Sequence, residues 1–179
     1  MRKSAIALAL VVVLVYGGVL LYPKLVSHGF SAREDPWAIE ASLARHLRRL
    51  AIGSDAKALE NPLSATPALL AEARDHFADH CATCHANDGS GETLINEGLY
   101  PPAPDLREAG TQDLTDGELL YIVRNGIRFT GMPGWGGEDE ENWKLVLFIR
   151  HLPDLSDEEL RLMREIHPED STPKDAHHH

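Results

Sequence analysis

The chain has 179 residues, room for a membrane segment and one modest domain but not for two large ones. It carries 17 basic against 28 acidic side chains, a formal charge of −11, and setting aside Arg2, Lys3 and Lys24 leaves 14 against 28. That balance excludes nucleic-acid binding, which needs a basic footprint, and suits a protein partner with a basic docking face.

Arg2 and Lys3 precede an apolar run from Ala5 to Tyr22, closed by Pro23 and Lys24. Eighteen residues rise about 27 Å as a helix, close to the thickness of a bilayer's hydrocarbon core. The run is longer than the apolar stretch of a cleaved signal and no A-x-A site follows it, so residues 1–24 read as an uncleaved signal anchor. No cysteine ends it, which excludes a lipoprotein anchor. The positive flank predicts a single pass through the cytoplasmic (inner) membrane, with everything after it on the outer, periplasmic side.

Residues 25–65 read as stalk, amphipathic helix and linker. After the stalk, Leu43, Leu47 and Leu50 recur at helical steps behind Trp37, with Arg45, Arg48 and Arg49 elsewhere on the helix. Such a helix suits either an anionic membrane surface or packing on the domain or a partner subunit, and packing is the preferred reading. Gly53, Ser54 and Asp55 break it, and 53–65 reads as a linker.

Residues 66–152 read as the domain proper. Thr66 caps a helix with Pro67 at its first position, and Leu69, Leu70, Ala73 and Phe77 form its apolar face. Asn87 to Gly91 make a tight loop, and 96–106 is extended and proline-punctuated. Thr115 and Glu118 predict a capping box, followed by Leu119, Ile122 and Val123 and a stop at Asn125-Gly126. A glycine-rich loop runs to Gly137. A further helix over 138–151 is built on Trp143, Val146, Leu147 and Ile149 or Arg150, with acidic residues at its start to suit the helix dipole. Residues 153–179 hold a short helix, capped by Ser156 and Glu159 and bearing Leu160, Met163 and Ile166, and then a tail. Nothing reads as a strand, so the fold class is mostly α.

The two cysteines, Cys81 and Cys84, are three apart and are followed at once by His85. C-x-x-C-H is the attachment pattern of c-type haem: two thiols reach the two vinyl groups, and the histidine reaches the iron from the proximal side. A zinc site would need two further ligands at suitable spacing, and none precedes His177, His178 and His179. A redox dithiol would want a βαβ context, which is absent. For the sixth ligand, Met163 falls on an apolar helix face where packing is its role. Met132 sits between Gly131 and Pro133 on a loop long enough to reach the far side of a haem. Met132 is therefore read as the distal iron ligand.

At this point the sequence resembles a class I monohaem cytochrome c of the short bacterial type. The resemblance covers roughly residues 66–152 through CATCH at 81–85 and GMPGW at 131–135. It implies the class I cytochrome c fold, in which the first and last helices cross, here through Phe77, Trp143 and Leu147. It also implies a proline turn at Tyr100–Pro104 whose carbonyl orients the proximal histidine. Pro102 and, beside the methionine, Trp135 are the candidates for the haem surroundings. One covalent haem c with both axial positions filled leaves no place for a small-molecule substrate, which argues for an electron carrier rather than an enzyme.

His28, His46, His76, His80, His151 and His167 read as surface or packing residues, none with a partner at ligand spacing. The terminal histidines read as an inert tail or tag remnant. Three functions compete: a membrane-tethered carrier between respiratory-chain partners, a fixed haem subunit of an oxidase, reductase or dehydrogenase complex, and an enzyme or gas sensor with Met132 off the iron.

Overall fold

The structure, a computed structural model, describes residues 2–28 and 31–168, with side chains over 6–23 and 31–168. The terminal histidines lie outside the described residues. One compact unit ends at Glu34 and a second begins at Asp35.

The first unit is built on α1 (Arg2–His28). Its stretch Ile6–Pro23 is long and apolar enough to cross a membrane by length and composition. Pro23 closes the apolar run but not the helix, which continues five residues beyond it. Proline removes one backbone donor, but its fixed φ is itself helical, so a helix can run through it at a cost.

The second unit begins with α2 (Ala38–Ala51), capped at Trp37, and the single turn α3 (Ser54–Lys57). The expected linker 53–65 is in fact anchored. α3 packs on the later helix α7 (Asp116–Asn125) so closely that a Cβ on Gly117 would stand 1.8 Å from the Ala56 carbonyl oxygen. The Thr115 hydroxyl donates to the Lys57 carbonyl at 3.0 Å, and the Asn61 amide donates to the Trp143 carbonyl at 2.9 Å. Leu63 packs against the core, and Ile52 is buried. A polar segment with glycine reads as a linker, but the Lys57 carbonyl and the Asn61 side chain found partners across the domain.

The core lies where α4 (Pro67–His80) meets α8 (Asp139–His151). α4 begins as its sequence predicts, with the Thr66 hydroxyl accepting from the Leu69 amide and Pro67 in the first turn. Ala73, Phe77 and Ala78 are buried on one side of it. The helix crossing was expected through Phe77, Trp143 and Leu147. Its ring contact is instead Phe77 on Phe148, with centroids 5.2 Å apart, and Leu147 is only half-buried. α8 is buried over most of its circumference, from Asn142 to Val146 and again at Phe148 and Ile149, so the stripe expected at Trp143, Val146 and Ile149 is buried and is only part of the covered surface. Lys144 joins the two helices, its ammonium 2.8 Å from Glu141 and 3.0 Å from Glu72. These carboxylates raise its pKa above the ordinary lysine value, with the Glu141 hydrogen bond foremost.

The one-turn helices α5 (Ala82–His85) and α6 (Ala109–Gln112) lie between α4 and α7. α7 opens on the predicted capping box, Thr115 with Glu118, and stops at Gly126. Arg150, near the end of α8, donates to Asp116 at 2.9 Å and to the Gln112 and Leu114 carbonyls, which fixes the corner between α6 and α7. Among the described residues there is no strand.

The last helix, α9 (Asp157–Ile166), was placed outside the minimal domain by its sequence, but it packs on α4 and belongs to the core. Met163 is fully buried there, as its packing role predicted. We expect Met163→Ala to cost about 2–5 kcal/mol, the usual range for emptying a buried methionine site, read from denaturant melts of the solubilised chain. The start of α9 is also pH-sensitive. Burial pulls the Glu159 carboxyl up, but bonds from the Ser156 hydroxyl and amide and from His151 at 2.8 Å outweigh it and hold it below the usual range. A depressed carboxylate stabilises the fold above its unfolded pKa and loses that contribution as pH falls through the folded one. Glu159→Gln should therefore lower the denaturation midpoint at neutral pH and approach the parent at acid pH, as the parent's carboxyl is protonated through its depressed folded pKa. Equal loss at both pH values would contradict this.

Candidate haem site

The site starts at the C-terminal end of α4. The Cys81 amide donates to the Phe77 carbonyl at 2.8 Å, and the Cys81 carbonyl then accepts from Cys84 at 3.1 Å and His85 at 2.9 Å. One helical turn thus carries all three residues at i, i+3 and i+4, the spacing that shares a helix face. Both cysteines are free thiols. Burial, with Cys84 adding to it, pushes the Cys81 thiol up to about 12, and burial raises Cys84 as well. A reactive C-x-x-C dithiol shows the opposite shift, a depressed thiol pKa.

His85 is held neutral. Burial lowers its pKa, and the smaller opposing influence is the Pro104 carbonyl. Its Nδ1 is buried and closes no hydrogen bond of its own. A neutral imidazole beside a backbone carbonyl is the arrangement that orients a metal-bound histidine. Of the proline turn, Pro104 is the residue whose carbonyl acts on His85.

The brace that holds this turn was not foreseen. Asn96, in the 3-10 turn Asn96–Gly98, is buried, and its amide donates to the Gly91 carbonyl at 2.6 Å and the Ala103 carbonyl at 3.2 Å. Its own carbonyl accepts from the Ala103 amide. The Gly91 amide in turn donates to the His85 carbonyl at 2.8 Å. Gly91 has a φ of +77°, and a Cβ there would stand 2.9 Å from the Ala103 oxygen, so only glycine fits without displacement. Arg107 adds a clamp, pairing with Asp88 at 2.9 Å and Asp105 at 2.7 Å. An asparagine inside a polar loop gives no sequence signal of its own.

Met132 lies half-buried on the loop after α7. Its amide donates to the Thr130 hydroxyl and its carbonyl accepts from the Ile127 amide, both at 3.1 Å, so the loop is closed on itself. At Gly131 a Cβ would stand 2.8 Å from Leu99, which places the methionine loop against the segment that carries Asn96 and the proline turn. Trp135 is 41 % exposed and packs on His80, ring centroids 5.5 Å apart. His80 also meets His76 at 5.0 Å. The histidines were read as lacking neighbours at ligand spacing, but these two stand four apart on α4 and are adjacent, a signal the i, i+4 rule could have found. Among the described residues no group of three or more metal-binding side chains occurs.

Residues 68–149, from the first turn of α4 to near the end of α8, match the family model described as cytochrome C oxidase, cbb3-type, subunit III. They form a cytochrome c domain. The protein is thus a c-type cytochrome in electron transfer, and the family implies haem c. The cytochrome's own residues fit that group: two unbonded thiols on one turn, a neutral imidazole, and a buried ring nitrogen turned away from water. The matched span leaves out α2, α3 and α9, of which α3 and α9 are packed into the same domain.

Proposed function

We propose that this is a membrane-tethered monohaem cytochrome c that relays single electrons between respiratory-chain proteins on the outer side of the cytoplasmic membrane. The observation that carries it is the single turn holding free Cys81 and Cys84 beside neutral, buried His85. Haem c, when bound, supplies a one-electron iron couple. Cys81 and Cys84 would hold it as thioethers. His85 would be the proximal ligand, oriented by the Pro104 carbonyl and the Asn96 brace. Met132 would be the distal ligand, and Trp135 would lie near the haem edge. With both axial positions taken by side chains, the site binds no substrate. The acidic surface would steer a partner with a basic docking face, an attraction that weakens with salt.

A second reading is supported by the description of the matching family, a subunit of an oxidase: the chain would then be a fixed haem subunit of such a complex. Purification from native membranes in mild detergent separates the two. A tethered carrier elutes alone and exchanges electrons with added partners at a salt-dependent rate. Stoichiometric co-purifying subunits would overturn that reading in favour of the second.

A further inference from the structure

Helix α2 displays an apolar stripe that its own domain leaves uncovered. Ile39, Leu43, Leu47 and Leu50 are 81, 56, 54 and 66 % exposed, and the helix contributes no buried side chain. At 3.6 residues per turn these four side chains fall within an arc of about 80°. The half-buried Ala41 and Arg48 lie on the opposite side. Arg48 has its Nε buried on that side, and Glu40 accepts from the Tyr100 hydroxyl at 2.6 Å. The inward side of α2 is therefore spoken for, and the aliphatic side faces away from the domain.

Three observations say what covers it. The helix carries three arginines against the single Glu40, whereas the chain as a whole stands at −11. A basic helix in an acidic protein repels the basic-faced partner that the rest of the surface attracts, and complements an anionic one. Trp37, 53 % exposed at the N-cap, suits a lipid headgroup region. α1 ends at His28, and the nine residues before Ala38 reach at most about 32 Å when fully extended, so α2 stays close to any bilayer that α1 crosses.

We propose that α2 is an interfacial helix, lying on an anionic phospholipid surface with Ile39, Leu43, Leu47 and Leu50 in the acyl boundary and Arg45 and Arg49 among the headgroups. This rests on reading α1 as a membrane anchor. It turns a swinging tether into a two-point attachment, and through the Glu40–Tyr100 bond it ties the proline turn beside His85 to the membrane-bound helix.

The test is carbene labelling from a photoactivatable acyl-chain probe. The full-length haem-loaded chain is reconstituted into vesicles of phosphatidylcholine alone or with phosphatidylglycerol, and adducts are mapped by mass spectrometry. We expect adducts on Ile39, Leu43, Leu47 and Leu50 but not on Ala38 or Arg45, with a several-fold higher yield on phosphatidylglycerol. The yield should fall at high salt and in the Arg45→Ala, Arg49→Ala double variant. Leu43→Glu should lose the α2 adducts and keep its visible spectrum, since no buried contact is removed. Adducts on 6–23 report the anchor separately. Labelling of 6–23 without α2 on either lipid overturns the interfacial helix while sparing the anchor, and α2-to-α2 cross-links in that case identify a second copy as the occupant. Absence of adducts on 6–23 overturns both.

Discussion

Cys81→Ala, Cys84→Ala protein should retain no covalent haem: the haem stain on a denaturing gel disappears, and any residual pigment extracts into acidified organic solvent. Thioether formation needs both sulfurs on one turn, and the geometry provides no other cysteine. Each single variant should keep one thioether at reduced yield, with a shifted pyridine haemochrome band. His85→Ala should also lose most of the haem, because the imidazole belongs to the same turn as the two thiols. The small core magnifies the effect, since a covalently held porphyrin is apolar surface that the helices pack around. Haem staining undiminished in the double variant would falsify the attachment site outright.

Met132→Leu should separate ligation from folding. Leucine conserves volume at a half-buried loop position, so the helical content and denaturation midpoint should stay within about 1.5 kcal/mol of the parent. The optical signature should change far more. The methionine-to-iron charge-transfer band of the oxidised protein should vanish, and carbon monoxide and cyanide should bind rapidly to a site the parent keeps closed. The reduction potential should fall on the order of 0.1–0.3 V, well inside the ~0.8 V that axial ligands span in haem proteins. A parent without that band, or one that already binds carbon monoxide, would move the distal role away from Met132 and revive the enzyme or sensor reading.

Residues that carry their meaning locally were legible in the chain. Thr66 with Pro67, Thr115 with Glu118 and Ser156 with Glu159 set helix starts because a cap is a contact over three residues. CATCH is legible for the same reason: the reach from thiol to thiol to imidazole is one helical turn. The long apolar run near the N-terminus announces itself by length alone.

Other features depended on contacts between segments distant in sequence. Phe148 replaced Leu147 at the helix crossing because α8 is wrapped by neighbours on several sides, and periodicity describes only one. Asn96 became the brace of the loop after the attachment turn because that loop folds back on itself and buried polar groups must find partners there. The stretch 53–65 and helix α9 joined the domain because Gly117 admits a backbone and Met163 fills a hole, and neither cavity exists until α4, α7 and α8 are assembled. The sequence by itself therefore determined the helices, the attachment turn and the candidate span, all set by neighbours within a few residues. The tertiary structure alone decided which carbonyls Asn96 braces, what belongs to the core and which side of α2 its own domain leaves uncovered, since those outcomes are matters of burial between distant segments.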